Sequence, residues 1–262
     1  MAGEPTPFVI VTGASSGIGY AIAEALAKRA HNLVLIARRE GPLADVAQKL
    51  SKDYGIKAEV IPADLSDPET PDALLQETLK RGLKIGGLVN NAGFGVPGLL
   101  SEVEWQRHRT CLEVMAVAPV HLTQLFAPEI VKSGGGMIIN VSSLSAILPP
   151  HAGGTLYYPV KSFLYQFSLA MREELKPDHI HVTALCPGFT ETNFQNAAGG
   201  TVESVAMPHW TWSKAEDVAE AAVIAVERNK AVCIPGLVNK VIALVFKLAP
   251  SAVGRMLVHG TP

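Results

Sequence analysis

Along the chain, short and almost wholly apolar runs alternate with longer stretches whose apolar residues recur every three or four positions. The first run, Phe8 to Val11, carries no polar residue to mark a solvent face. Such a run suits a strand buried on both sides of a parallel sheet. A glycine-rich turn follows, and Ile18 to Arg29 then places Ile22, Leu26 and flanking alanines at helical spacing. The same alternation predicts strands over Asn32 to Ile36, Ala58 to Pro62, Leu83 to Asn90, Gly136 to Val141 and His181 to Cys186. Helices are predicted over Leu43 to Lys52, Pro71 to Arg81, Val103 to Val131 and Tyr157 to Leu175. Strand followed by helix, repeated, implies right-handed βαβ units. The expected fold class is α/β: a single-domain, Rossmann-type, doubly wound parallel β-sheet flanked by helices. No linker rich in Gly, Ser or Pro divides the 262 residues, and no repeat of fixed period is present.

Composition narrows the classes of function. A chain with 48% hydrophobic and 18% charged residues is globular rather than disordered. A net charge of −2 offers no basic field to nucleic acid or to acidic membranes. Cys111, Cys186 and Cys233 are far apart and odd in number, which suggests buried free thiols rather than a disulfide framework or a metal site. The N-terminus lacks the basic patch and long apolar run of a signal peptide, and no run approaches a membrane span, so a soluble, cytoplasmic protein is expected.

The first strand-to-helix junction, Thr12-Gly13-Ala14-Ser15-Ser16-Gly17-Ile18-Gly19, spells GxxxGxG. Glycine permits a sharp turn and close approach of backbone to phosphate, and the following helix offers free N–H groups and a positive dipole end. Gly13, Ser15, Ser16, Gly17, Ile18 and Gly19 are therefore candidate dinucleotide contacts. The second strand ends Leu35-Ile36-Ala37-Arg38-Arg39, with Ala37 where an NAD site usually holds an acid. An acid there repels a 2′-phosphate, whereas a guanidinium pairs with it. Arg38, with Arg39 as helper, points to NADP(H). Tyr157-Tyr158-Pro159-Val160-Lys161 contains YxxxK, which sets Tyr157 and Lys161 one turn apart on one helix face. A nearby ammonium favours phenolate and draws a tyrosine pKa down from about 10 toward the range useful for proton exchange. Tyr158 has no lysine four residues on, since position 162 is Ser162.

With Asp64-Leu65, Asn90-Asn91-Ala92-Gly93, Ile138 to Ser143 and Pro187-Gly188-Phe189-Thr190-Glu191-Thr192, these motifs in this order resemble the short-chain dehydrogenase/reductase family over residues 8 to about 236. The resemblance implies that Asp64 and Leu65 hold adenine and that Asn91, Ala92 and Gly93 close over the cofactor. It also implies that Pro187, Gly188, Thr190 and Thr192 hold the nicotinamide. Ser143 is chosen by register as the catalytic serine, with Ser142 and Ser145 as alternatives. It lies fourteen positions before Tyr157, one more than the family spacing, and Leu148 to Gly154 is expected to absorb the extra residue. Lys161 is expected to lower the Tyr157 pKa and to hold the nicotinamide ribose. Met115 stands where the family often has an asparagine that supports a relay water.

The implied activity is NADPH-dependent reduction of a ketone, in the β-keto acyl or another lipophilic class. The alternatives are oxidative alcohol or steroid dehydrogenation, and a non-catalytic NADP(H)-binding sensor or scaffold. Residues 190 to 212, with Phe194, Val202, Val205, Met207, Trp210 and Trp212, read as an apolar substrate lid or as a loop packed on the core. In residues 237 to 258, Val238, Val241, Ile242, Val245 and Leu248 share one helical face before Pro250. That stretch reads as a packed terminal helix, a surface touching a membrane or lipid-like substrate, or a dimer contact. The family resemblance implies a homo-oligomer, dimer or tetramer.

Overall fold

The computed structural model describes residues 6–150, 153–154, 156–192 and 212–248. Seven strands form one parallel sheet: β1 (Phe8–Thr12), β2 (Asn32–Ala37), β3 (Ala58–Pro62), β4 (Ile85–Asn90), β5 (Gly136–Val141), β6 (Ile180–Leu185) and a short strand at Val232–Cys233. With that last strand numbered β9, their order is β3-β2-β1-β4-β5-β6-β9, the doubly wound arrangement expected from the alternation. β7 (Thr190–Glu191) and β8 (Ser213–Lys214) pair separately. β1 is buried at all five positions, and β2 buries Leu33 to Ile36, because helices cover both faces of the sheet.

On one face lie α1 (Gly17–Ala27), α2 (Glu40–Tyr54) and α7 (Ala215–Glu227). On the other lie α3 (Thr70–Lys80), α4 (Trp105–Leu112), α5 (Ala118–Lys132) and α6 (Tyr157–Glu174). Turn chemistry sets several ends. Gly55, in the left-handed region at φ 70°, stops α2, and Pro71 opens α3 where its missing N–H costs nothing. The reading of the sequence passed over α7, although Val218, Ala222 and Val226, spaced four apart, form a stripe that is fully buried. Small side chains let α7 approach α1 closely, and Arg29, in the turn just after α1, ion-pairs with Glu220 and Glu227 of α7.

The long helix expected over Val103 to Val131 is interrupted. Between α4 and α5 the chain makes a π-turn at Glu113–Val117, with the Ala118 N–H bonded to the Glu113 carbonyl. Pro119 supplies the reason: it has no N–H to give the Met115 carbonyl, and its ring crowds that carbonyl, so the α-helical ladder cannot run through unbroken. The run Trp105–Lys132 is long and apolar enough to cross a membrane, but 50% of its most apolar window is buried within the protein, as in a core helix.

The C-terminal helix α8 (Leu237–Leu248) packs inward through Asn239 and Ala243. The apolar face read from the sequence is split, and Leu237 (77% exposed), Val241, Leu244, Val245 and Leu248 (73%) look outward. The remainder of the predicted extension, 249–258, lies outside the described residues, as does most of the predicted lid, 193–211.

Candidate active site

Parallel register gathers the chemistry at one edge. Thr12 pairs with Ile36, Asn90 with Asn140, and Val141 with Leu185. The segments that follow these residues therefore emerge side by side at the carboxyl ends of the strands, where open α/β sheets bind ligands.

Gly13 (φ 66°) and Gly17 (φ 58°) adopt the left-handed conformation that the turn requires. The glycines also serve a contact within the protein. A β-carbon at Gly13 would stand 2.8 Å from Asn91 Nδ2, and one at Gly19 would collide with Asn91 and the Gly13 carbonyl. Asn91 Nδ2 donates to the Thr12 carbonyl (2.8 Å), while Thr12 Oγ1 accepts from the N–H groups of Asn91 (2.9 Å) and Ala92 (3.0 Å). Thr12 thus clamps the Asn91-Ala92-Gly93 turn to the glycine turn, a role that a lone threonine at a strand end does not advertise. Gly19→Ala is expected to destabilise the protein by about 1–3 kcal/mol through overpacking and to weaken dinucleotide binding, as thermal melts and titration will show. Ser16 precedes α1 in extended conformation, its hydroxyl makes no capping bond, and the first turn holds no acid. The positive end of the helix, with Ser15 and Ile18 beside it, is left to a ligand.

Arg38 and Arg39 are exposed beyond β2, and neither ion-pairs with a carboxylate among the described residues. Asp64 builds its own turn: Oδ1 accepts from the Ser66 N–H (3.0 Å) and hydroxyl (2.9 Å), and Leu65 is buried beneath. At the sheet centre, Asn90 Nδ2 donates to Asn140 Oδ1 (2.8 Å) and Asn140 Nδ2 to Ser168 Oγ (2.9 Å), which fixes the strand end before Asn91. Met115, fully buried, lies beneath Gly93, where a β-carbon would meet its sulfur at 2.9 Å.

The three candidate serines differ in their surroundings. Ser142 Oγ donates to the Lys161 carbonyl (2.7 Å) and is occupied in holding α6. Ser143 Oγ accepts from the Ser145 N–H (3.1 Å) and lies near enough to the Tyr157 hydroxyl to favour its phenolate. Lys161 Nζ donates to the Val141 carbonyl (2.8 Å) and stands 5.8 Å from the centre of the Tyr157 ring. Ser143, Tyr157 and Lys161 are thus brought together.

Their electrostatics differ from the expectation. Burial pushes the Tyr157 phenol up, and only the Ser143 hydrogen bond works against it; the expected lowering by Lys161 is not the dominant effect. Burial likewise pushes Lys161 down to about 8, since the titratable groups beside it are the Cys111 and Cys186 thiols rather than a carboxylate. Those thiols are pushed up to about 11 and about 12 by burial and stay protonated at neutral pH. An ammonium buried without a carboxylate partner is costly and leaves donors available to a ligand.

The wall opposite α1 is formed by the Pro187–Thr192 segment. Leu144 N–H donates to the Pro187 carbonyl (2.8 Å), Thr190 Oγ1 to the Gly188 carbonyl (3.1 Å), and Thr192 leans on Gly17, whose β-carbon would meet it at 3.3 Å. Of the predicted lid, Trp212 is described and packs against Phe189 with ring centres 5.5 Å apart. The inserted stretch pairs at Gly154 with Gly98, and the Gly98 N–H bonds the Gly153 carbonyl (3.1 Å). Leu99, Leu100 and Trp105 stand exposed just beyond that bridge.

A doubly wound sheet with this turn and this Ser-Tyr-Lys cluster defines an oxidoreductase that uses a nicotinamide dinucleotide. Residues 7–202 match the short chain dehydrogenase family, and the chain belongs to it. It is 29% identical over 256 residues to ketoacyl reductase HetN of Nostoc sp., covering 95% of this chain and 87% of that one. It is 30% identical over 205 residues to the very-long-chain 3-oxoacyl-CoA reductase of Rattus norvegicus, covering 75% and 63%. A short-chain dehydrogenase from Sphingobium yanoikuyae, solved in complex with NADPH, superposes with a TM-score of 0.79 at 30% identity, covering 94% and 97%.

Proposed function

We propose that this protein reduces the carbonyl of a lipophilic ketone to an alcohol with NADPH, and that Tyr157 is the proton donor. The observation that carries the reading is the buried Lys161 ammonium 5.8 Å from the Tyr157 ring centre, with the Ser143 hydroxyl acting on the same phenol. When bound, the nicotinamide supplies the hydride. The Ser143 hydroxyl hydrogen-bonds the substrate oxygen and stabilises the charge that develops there. Tyr157, held protonated by burial, gives its proton to that oxygen. Lys161, anchored on the Val141 carbonyl, supplies positive charge next to the phenol as the proton leaves. The residues fit the dinucleotide: Gly13, Ser15, Ser16, Gly17, Ile18 and Gly19 for its phosphates, Asp64 and Leu65 for adenine, and Asn91, Ala92 and Gly93 along its length. Pro187, Gly188, Thr190 and Thr192 take the nicotinamide, and Lys161 its ribose.

NADP(H) over NAD(H) rests on Ala37 in place of an acid and on two guanidiniums without carboxylate partners among the described residues. The substrate class rests on exposed apolar side chains, Leu99, Leu100 and Trp105 on one segment and Phe189 against Trp212 on another, and is consistent with the ketoacyl and 3-oxoacyl-CoA reductases among the relatives. The outward apolar row of α8, with Lys240 exposed beside it, suits peripheral contact with a lipid surface. The working unit is one domain in a homo-oligomer. Fluorescence titration of wild type and Arg38→Ala tests the cofactor assignment. Loss of the charge-assisted contact is expected to weaken NADPH binding at least about tenfold and to leave NADH little changed. Equal affinity of the wild type for both dinucleotides contradicts it.

A further inference from the structure

β6 and β9 are neighbours, and each ends in a Pro-Gly turn: Pro187-Gly188 after β6 and Pro235-Gly236 after β9. The two strand ends are joined by the bond from the Cys186 N–H to the Cys233 carbonyl (2.7 Å). Asn239 on α8 lies between the turns. It is 5% exposed, an unusual place for an amide in a helix otherwise made of apolar residues and two lysines. Its Nδ2 donates to the Pro235 carbonyl (2.9 Å). Its amide plane rests on Gly188, where a β-carbon would come within 2.8 Å of both Cγ and Nδ2. Gly236, at φ 81°, turns the chain so that α8 can deliver this side chain.

Packing alone is served by any apolar side chain of this size. The amide does two things at once: it satisfies the Pro235 carbonyl and fills the space that a side chain at Gly188 would occupy. It thereby fixes one Pro-Gly turn by means of the other. We infer that Asn239 is a positioning residue that holds the Pro187-Gly188 turn in register, and so sets which face of the nicotinamide is presented to the carbonyl. The inference rests on the reading of the preceding section, in which that turn contacts the nicotinamide.

Two measurements test it, one without cofactor. In the ligand-free protein, amide hydrogen exchange at Gly188 to Thr192 is expected to rise about tenfold or more in Asn239→Leu, while exchange in β1 and α1 stays unchanged. With NADPH deuterated separately on each face of C4, the wild type is expected to transfer label from one face only. Asn239→Leu is expected to transfer from both and to lose up to about 10²-fold in kcat, with the KM for NADPH little altered. Asn239→Asp keeps the shape and loses the donor, so it carries the same test if the leucine variant does not fold. Lys240→Ala, on the exposed side of the same helix, is the control and keeps full facial fidelity. Folded Asn239 variants with unchanged exchange at 188–192 and single-face transfer overturn the inference. A wild type that oxidises no NADPH overturns the parent reading instead, while raised exchange in the ligand-free variant still establishes Asn239 as the clamp on the turn.

Discussion

Tyr157→Phe is expected to lower carbonyl reduction by at least about 10³-fold while NADPH binds within about twofold of wild type. The substitution keeps the ring, which is half-buried at the start of α6, and deletes only the hydroxyl beside Ser143. Loss of one hydroxyl hydrogen bond costs about 1 kcal/mol, so the fold survives. The alternative acid, Tyr158, does not substitute. Its ring stands edge-on to Tyr157 with centres 6.4 Å apart, and no lysine follows it one turn on. Single-turnover NADPH oxidation, measured beside a binding titration, separates lost chemistry from lost binding. Retained turnover in the variant assigns the proton to another group. Retained binding without turnover is also what distinguishes an enzyme from a non-catalytic NADP(H) sensor, for which the two proteins would behave alike.

Lys161→Met is expected to abolish turnover and yet stabilise the ligand-free protein at neutral pH. Folding buries an ammonium that no carboxylate balances, and burial moves its pKa from 10.5 to about 8. The unfolded chain therefore keeps that proton to higher pH than the folded protein does. Between about 8 and 10.5 folding expels a proton and stability rises with pH; below about 8 the folded state carries the whole burden, about 3 kcal/mol for such a shift. Methionine removes the burden but leaves the Val141 carbonyl without its donor, which costs about 1 kcal/mol. The net expectation is a gain of about 1–2 kcal/mol at pH 7 that shrinks through pH 8 to 10. Thermal melts of both proteins across that range check it, and a variant less stable than wild type at pH 7 contradicts it. The same titration predicts that kcat/KM for NADPH falls above about pH 8 as Lys161 loses its charge.

Both effects come from burial, which is why spacing alone gave only half of the electrostatics. YxxxK in the sequence puts a lysine near a tyrosine, and the structure keeps that neighbourhood. It also buries Lys161 and much of Tyr157, and desolvation then outweighs the attraction expected between ammonium and phenolate. The strands were legible because runs such as Phe8 to Val11 have no polar face and fit only a covered sheet. The π-turn was less so, since an apolar helical period continues through Pro119 and only the missing N–H breaks it. The choice among Ser142, Ser143 and Ser145 stayed open in the sequence because three hydroxyls within four residues are equivalent to a pattern. In the structure Ser142 is bonded to the Lys161 carbonyl, and Ser143 accepts from the Ser145 N–H. Thr12 and Asn239 gave no signal at all, because each acts through the backbone of a distant turn rather than through a motif of its own.

The central claim is that this chain couples NADPH oxidation to carbonyl reduction through Tyr157. The most direct measurement incubates the purified full-length protein with NADPH and a 3-oxoacyl thioester, and follows both the nucleotide and the alcohol product. One alcohol formed per NADPH consumed, in wild type and not in Tyr157→Phe, is the expected result. NADPH bound tightly but never consumed, across 3-oxoacyl, steroid and simple ketone substrates, contradicts the account.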